Sequence, residues 1–455
     1  MRFRKLQLAL ALGLFGAVLF SAIGLVSGTD ETTTLAPLTM LVVMLGAPPA
    51  GILTFFLAGA VAKHMTHAVP TALLGIPGDT MATALIGDAN YLRRLGVPHV
   101  ALRKMITGGA MAALIAVPLS VLFAVLLAPF GDVIKQFAPW VFLCAAFAIA
   151  YFSAGRWASI LALLPFVLVI VALQTLTAQY DVKLAVSYFL GIAVAPLIAS
   201  LFSLLAPVER EKMRRDGFRV FSLAPDMKGW KGYFPNPFRV INKRQRRMTA
   251  MAASVTFVFS PVAMTVIMGE VIGARIKQAY ERLTTVITAR NGVTESTYIA
   301  EALIPLIAFG LPLSPVAAGP AAPLFNAPPR FTVDSATGEV NNLHNLLNYW
   351  EFFGYGMLAV VVAILIAYPF SMSFAHRAAS FVFRKISHEA VISTFIGLAL
   401  VVGIWEGGLL GVLVVVTIGL LGGFLGRFLG FNIGVQFMGY YTAVLSVPAM
   451  LALLR

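Results

Sequence analysis

Residues Gly75 to Asn90 read GIPGDTMATALIGDAN and interrupt a chain that is otherwise almost wholly apolar. Three glycines, one proline and two aspartates fall between Gly75 and Asp88. Proline removes a backbone donor and glycine admits dihedrals that other residues resist, so a helix stops here. At membrane depth the freed backbone groups must face protein or a watery cavity. The flanks then decide the shape, because Lys63 before the stretch and Arg93–Arg94 after it are basic and belong on one side of a membrane. The segment between them, Val69–Leu92, is too short for two helices to cross ~30 Å at ~1.5 Å per residue. A re-entrant hairpin is predicted, bending at Gly75-Ile-Pro-Gly78.

The composition requires that solvent. Of 455 residues, 59% are hydrophobic and 11% charged, against about 25% charged in soluble domains. Mean hydropathy is +0.89. The chain is predicted to be an all-α polytopic membrane protein, with membrane lipid as its surroundings. Its net charge of +14 fits basic cytoplasmic loops, and no nucleic-acid module is present. One cysteine, Cys144 in an apolar run, excludes a disulfide framework. The basic and apolar N-terminus has the parts of a signal peptide, but its apolar run is long enough to be a retained first helix.

Hydropathy gives about 11 transmembrane helices: Leu6–Val26, Leu35–Val61, Met105–Phe130, Phe137–Phe152, Ala158–Leu176, Leu184–Ala206, Thr249–Gly273, Tyr349–Phe374, Glu389–Trp405, Leu409–Leu425 and Phe431–Leu453. With the N-terminal Arg2, Arg4 and Lys5 in the cytoplasm, most basic loops fall inside. Ala274–Ser296 is the exception: it is expected outside, yet holds Arg275, Lys277, Arg282 and Arg290, so an interfacial amphipathic helix is expected there. Pro207–Met248 carries twelve Lys and Arg against four Asp and Glu. It reads as a basic cytoplasmic linker resting on anionic headgroups, or as a docking or regulatory segment.

A second broken segment, Ile299–Phe325, is expected to enter from the outer side. Its centre, Gly310-Leu-Pro312-Leu-Ser314, can be laid over Gly75-Ile-Pro77-Gly-Asp79. Two halves of opposite orientation, residues 1–206 and 249–455, with a break in corresponding position, form the pattern of an inverted-repeat secondary transporter. The hairpins are residues 69–92 and 299–325. The alternative is that proline and glycine merely kink ordinary helices.

At these residues the chain resembles the TctA-type large permease subunit of the tripartite tricarboxylate transporters, as a divergent member. The match runs from Gly75-Ile-Pro-Gly78 through Asp88 and Gly96 to Ala101-Leu102 and Gly108-Gly109. A second match is Ala302-Leu-Ile-Pro305 followed by Gly310-Leu-Pro312. The resemblance implies a helical permease taking up citrate or other di- and tricarboxylates, driven by Na⁺ or H⁺. It also implies a small membrane subunit and an extracytoplasmic solute-binding protein as partners. Asp79 stands where the family has a small or neutral residue, Leu313 replaces a glycine, and the N-terminal Gly/Pro segment is reduced to Gly46-Ala-Pro-Pro-Ala-Gly51. An acid at the tip would repel a carboxylate unless protonated or paired.

The expected function is therefore a secondary active, cation-coupled permease for small organic anions in the plasma membrane, with a cytoplasmic N-terminus and alternating access at two opposed hairpin tips. A translocase of an anionic lipid or polyprenyl-phosphate-linked glycan is the alternative. Gly75, Pro77, Gly78, Thr80, Gly310, Pro312 and Ser314 are expected to bind substrate. Asp79 and Asp88 are expected to bind Na⁺ or H⁺ as coupling ion, with a helix cap as the other role for Asp79 and pairing with Arg93 or Arg94 the other for Asp88. Glu270 and Glu301 read as interfacial, and His64 and His67 flank the cytoplasmic mouth. No third metal ligand is near them in sequence, so no metal is expected. No Walker A, HExxH or GxSxG motif occurs, so neither an enzyme nor a direct user of ATP is expected. A homo-oligomer is left open.

Overall fold

The computed structural model describes the chain apart from residues 1, 27–28, 30, 76–77, 80, 154, 181–183, 206–236, 256–260, 328–329, 334–338, 386–387 and 454–455. It is an all-α polytopic membrane protein. In the first half, α1 is Arg2–Ile23, α2 Glu31–Met44, α3 Pro49–Thr66, α4 Ala68–Leu73, α5 Ile86–Arg94, α6 Pro98–Leu127, α7 Gly131–Phe152, α8 Trp157–Ala178 and α9 Ala185–Leu205. In the second, α10 is Lys243–Val255, α11 Pro261–Gly273, α12 Ala279–Phe309, α13 Tyr349–Lys385 and α14 His388–Leu429, and α15 is Ile433–Tyr441. The long α14 is two helices joined at a kink at Gly407 and Gly408. Among the described residues, six helical stretches are long and apolar enough to cross a membrane.

Two helices form the centre. The α3 helix is buried along nearly its whole length, and α12 is buried from Thr284 to Phe309 except at Arg290. Around them the halves exchange helices. The α1 helix packs on α3 and α10 on α12, while α3 also packs on α13 and α12 on α6. Likewise α2 touches the turn Ala322–Leu324, and α11 touches the turn Met81–Leu85. Each half thus lends a helix to the broken segment of the other.

Three sequence expectations change here. Leu35–Val61 is not one span: α2 and α3 are separated at Gly46, whose φ of +83° ends the first helix in the left-handed region. The α3 helix runs parallel to α1, with Thr54 Oγ1 donating to Ala9 O at 2.8 Å near one end and Thr66 packed on Gly24 near the other. Thr249–Gly273 is likewise divided into α10 and α11. Ala274–Ser296, expected as an interfacial segment, instead leads into the buried α12, whose residues Ile299–Phe309 are its last turns. The linker 207–248 lies outside the described residues up to 236, and its Lys243–Met248 belong to α10.

The basic residues gather at one end of the bundle. Lys104 donates to Val240 O and to Gln245 Oε1. Arg244 pairs with Glu281 at 3.2 Å and reaches Arg275 O at 3.3 Å. The starts of α6, α10 and α12 therefore lie together, and α13, crossing α6 at the Thr107–Tyr368 contact of 3.2 Å, brings Arg384 and Lys385 toward the same end. Arg275, Lys277 and Arg282 cease to be exceptions. The start of α1 is at the opposite end, where Lys5 shares a cavity with Asn348, Trp350 and Glu351.

Candidate functional site

At the end of α4 the chain turns on Gly75, φ +73°, a conformation that glycine adopts without strain. Arg93 fastens this turn to α5 by donating to Leu74 O at 3.2 Å. The chain then doubles back along α3, so that Gly78 lies against the His67 backbone and Asp79 beside Lys63. Asp79 Oδ2 is 3.0 Å from Lys63 Nζ and 2.8 Å from His67 Nδ1. Its Oδ1 accepts from Ala82 N at 3.1 Å, capping the turn Met81–Leu85. Pro77 and Thr80 lie outside the described residues.

The second break repeats this design. Gly310 turns the chain with φ +67°, and Pro312 is buried behind it. Ser314 Oγ accepts from Ala317 N at 3.1 Å and donates to Glu301 O at 2.8 Å. Laid over one another from the glycine onward, Asp79 and Ser314 are equivalent caps, each taking the N–H three residues ahead. Glu301 Oε2 accepts from Val316 N at 3.4 Å, which makes Glu301 a buried part of the break and not an interfacial residue. Asn342 Nδ2 donates to Gly310 O at 2.9 Å and Phe325 O at 3.0 Å, so the carbonyls released by this break are bonded within the protein.

Around Asp79 the structure assembles a charged cluster from both halves. Lys63 Nζ also lies 2.7 Å from Glu31 Oε1. His64 Nε2 is 3.3 Å from that same oxygen, and His64 Nδ1 is 3.0 Å from Glu295 Oε2. The Tyr298 ring meets His64 edge-on, 4.5 Å between centroids. Glu31, Lys63, His64, His67, Asp79 and Glu295 are each no more than 4% exposed. They come from α2, α3, the first break and α12. Ionisable groups at membrane depth mark function by default.

Sequence reasoning found Asp79 and missed three of its companions. Glu31 was placed in an outer loop, Lys63 at a cytoplasmic helix end and Glu295 in an interfacial segment. A lysine preceded by a long apolar run, Ile52–Ala62, was the available signal. His64 and His67 do not flank a mouth; they are buried in the cluster. The other expected coupling residue, Asp88, does not join. It pairs with Arg290 at 2.6 Å, and Arg290 also holds Glu270 at 2.9 Å. Arg290 thus takes the place expected of Arg93 or Arg94. Gly310, Pro312 and Ser314 gather at the second break, and α12 connects the two sites: Glu295 serves the first and Glu301 the second, about 9 Å apart along the axis at 1.5 Å per residue.

Ligating atoms of Glu31, His67 and Asp79 lie within 4.8 Å of one another, a spacing a metal ion accepts. The sequence places no third ligand near the histidines, but the fold brings Glu31 and Asp79 to His67, and the Lys63 ammonium bonds to both carboxylates.

The glycine pair Gly108-Gly109 has a packing role. A Cβ at Gly108 would collide with the Thr288 carbonyl of α12, and Asn291 Nδ2 donates to Met105 O at 2.8 Å beside it. Close approach of small residues is how membrane helices gain contact and hydrogen bonds.

Paired helix breaks and a buried charge cluster shared by two halves are features that transport proteins use. The model of the tripartite tricarboxylate transporter TctA family matches residues 10–432, and the chain belongs to that family. No curated protein and no solved structure matches it. As a member of a tripartite system, it works with further subunits.

Proposed function

We propose that the chain is the cation-coupled permease of its system, moving small organic anions, with di- and tricarboxylates as the substrate class. The observation that carries this reading is the matched pair of breaks, with Asp79 and Ser314 as equivalent caps on opposite sides of one buried helix frame. Each break is held to its central helix by a few polar contacts, Asp79 to Lys63 and His67, Ser314 and Val316 to Glu301. Such contacts can be exchanged one at a time, as alternating access between two repeats requires.

Asp79 does not oppose an anionic substrate in this arrangement, because Lys63 and His67 pair with it. The coupling ion acts at the cluster that contains Asp79, whereas Asp88 serves with Arg290 as a link between α5 and α12. Gly75, Gly78, Gly310 and Ser314 shape the substrate path. With the basic end in the cytoplasm, the first break faces inward and the second outward, where an extracytoplasmic solute-binding protein would deliver substrate. A small membrane subunit completes the system in the plasma membrane.

Uptake of radiolabelled citrate or succinate into proteoliposomes that hold the chain with its small membrane subunit and solute-binding protein, with and without a Na⁺ or pH gradient, tests the reading. Gradient-driven accumulation is expected. No uptake of any carboxylate, together with scrambling of lipid headgroups, would overturn it.

A further inference from the structure

We propose that protons and not a metal cation couple transport in this chain, with His64 and His67 carrying them and Lys63 standing as a tethered cation between Glu31 and Asp79. The proposal rests on the reading of the chain as a cation-coupled permease.

The argument begins with the charges. Among the described residues the buried cluster holds three carboxylates, Glu31 from α2, Asp79 from the first break and Glu295 from α12. Against them α3 supplies one ammonium, Lys63, and the imidazole of His64, and the cap between α3 and α4 supplies the imidazole of His67. The Tyr298 ring closes the His64 side. Unbalanced charge is costly away from water. Among these described groups Lys63 balances one of the three carboxylates, and two imidazolium ions balance the other two.

Geometry gives each imidazole a carboxylate. His64 Nδ1 is 3.0 Å from Glu295 Oε2 and His67 Nδ1 is 2.8 Å from Asp79 Oδ2. An Nδ1–H donated to a carboxylate leaves Nε2 to gain or lose the second proton. His67 Nε2 is buried without a hydrogen-bond partner among the described residues, and so is Glu295 Oε1. Loading adds one H⁺ and one positive charge to an imidazole Nε2, and release removes both; no other bond changes. Two histidines three residues apart on one buried helix face, with ring centroids 5.5 Å apart, place the two sites side by side.

Lys63 argues against a metal ion. Glu31 Oε1 and Asp79 Oδ2, carboxylate oxygens of two of the three residues that could hold such an ion, are 2.7 and 3.0 Å from Lys63 Nζ. An ammonium donates to both and brings the charge that a sodium ion would otherwise supply.

The purified full chain in detergent, titrated with radioactive sodium, is expected to show no saturable binding. Lys63→Gln, which vacates the place between the two carboxylates, is expected to gain it. Saturable sodium binding by the unaltered chain overturns the proposal, whether or not Lys63→Gln folds. In proteoliposomes holding the chain with the further subunits of its system and supplied with citrate or succinate, a pH dye in the lumen is expected to report protons entering with substrate, and His67→Gln to lose the response to a pH gradient. Uptake driven by sodium and indifferent to pH overturns the proposal. Failure of every carboxylate to enter counts against the permease reading instead, and the sodium titration then decides this one.

Discussion

Asp79 and Lys63 form an ion pair whose two side chains are fully shut off from solvent, and they sit on either side of α4 and the turn at Gly75. Whatever moves the first break away from α3 must separate them or carry both. Asp79→Asn keeps an acceptor for Ala82 N and gives up the charge. We expect the variant to fold and to lose cation-driven carboxylate uptake. Asp79→Ala loses the cap as well, a further cost of about 1 kcal/mol, while Lys63 keeps Glu31 at 2.7 Å in both variants. Thermal unfolding of both variants in detergent, read beside uptake, separates the roles. Unchanged gradient-driven uptake in Asp79→Asn would remove the carboxylate charge from the mechanism.

Gly108→Leu tests the crossing of α6 and α12. The added side chain enters space already held by the Thr288 backbone, and Gly292 lies on the facing side, so neither helix can yield by a rotamer change. Overpacking of this kind costs about 1–3 kcal/mol. A lowered unfolding midpoint is expected. Gly87→Leu, where nothing lies near the added atom, is expected to leave the midpoint unaltered.

The first break was legible in the sequence because its residues are there for backbone reasons. Gly75 and Gly310 turn the chain, and a polar cap follows each at the same spacing, so Gly75 and Asp79 correspond to Gly310 and Ser314 in three dimensions. The charged cluster was only half legible. Asp79 stands out against glycine and proline, but Glu31 and Glu295 lie in polar stretches, ETTT and TEST, that hydropathy assigns to water. Hydropathy measures the cost of entering lipid. A helix enclosed by other helices escapes that cost, and α12 is such a helix: Thr285, Asn291, Glu295 and Thr297 are all buried in it. The same reasoning makes Ala274–Ser296 look interfacial, where the structure buries its second half in α12.

Arg290 joins Asp88 of α5 to Glu270 of α11, and its Nη1 also reaches Ala84 O at 3.5 Å. It therefore holds the outgoing arm of the first break against the second half. Arg290→Ala should weaken this hold by about 1.5–3 kcal/mol, the range for a hydrogen bond to a charged group. We expect faster hydrogen exchange from Met81 to Arg94, with α8 and α9 unaffected. Exchange unchanged in that segment would show that the break is secured elsewhere, by Asp79 or by Arg93 on Leu74 O.

The parallel course of α1 and α3 makes a prediction about orientation. Arg4 is exposed at the start of α1, and Arg384 is exposed near the end of α13, at opposite ends of the bundle. The end with Arg384 also holds Arg103, Lys104, Arg244 and Arg275, so charge bias orients that end to the cytoplasm and leaves the start of α1 outside. The single cysteine, Cys144, is removed by Cys144→Ser, and one new cysteine is introduced by Arg4→Cys or by Arg384→Cys. A membrane-impermeant maleimide added to intact cells is expected to label the first variant and spare the second until the membrane is opened. The reverse pattern would place the basic end outside and would require the first break, with Asp79 and Lys63, to open to the exterior. Labelling of both variants in intact cells would mean that α1 does not cross alongside α3, against the contacts of Gly13, Gly16 and Gly24 with Thr54, Phe55 and Thr66.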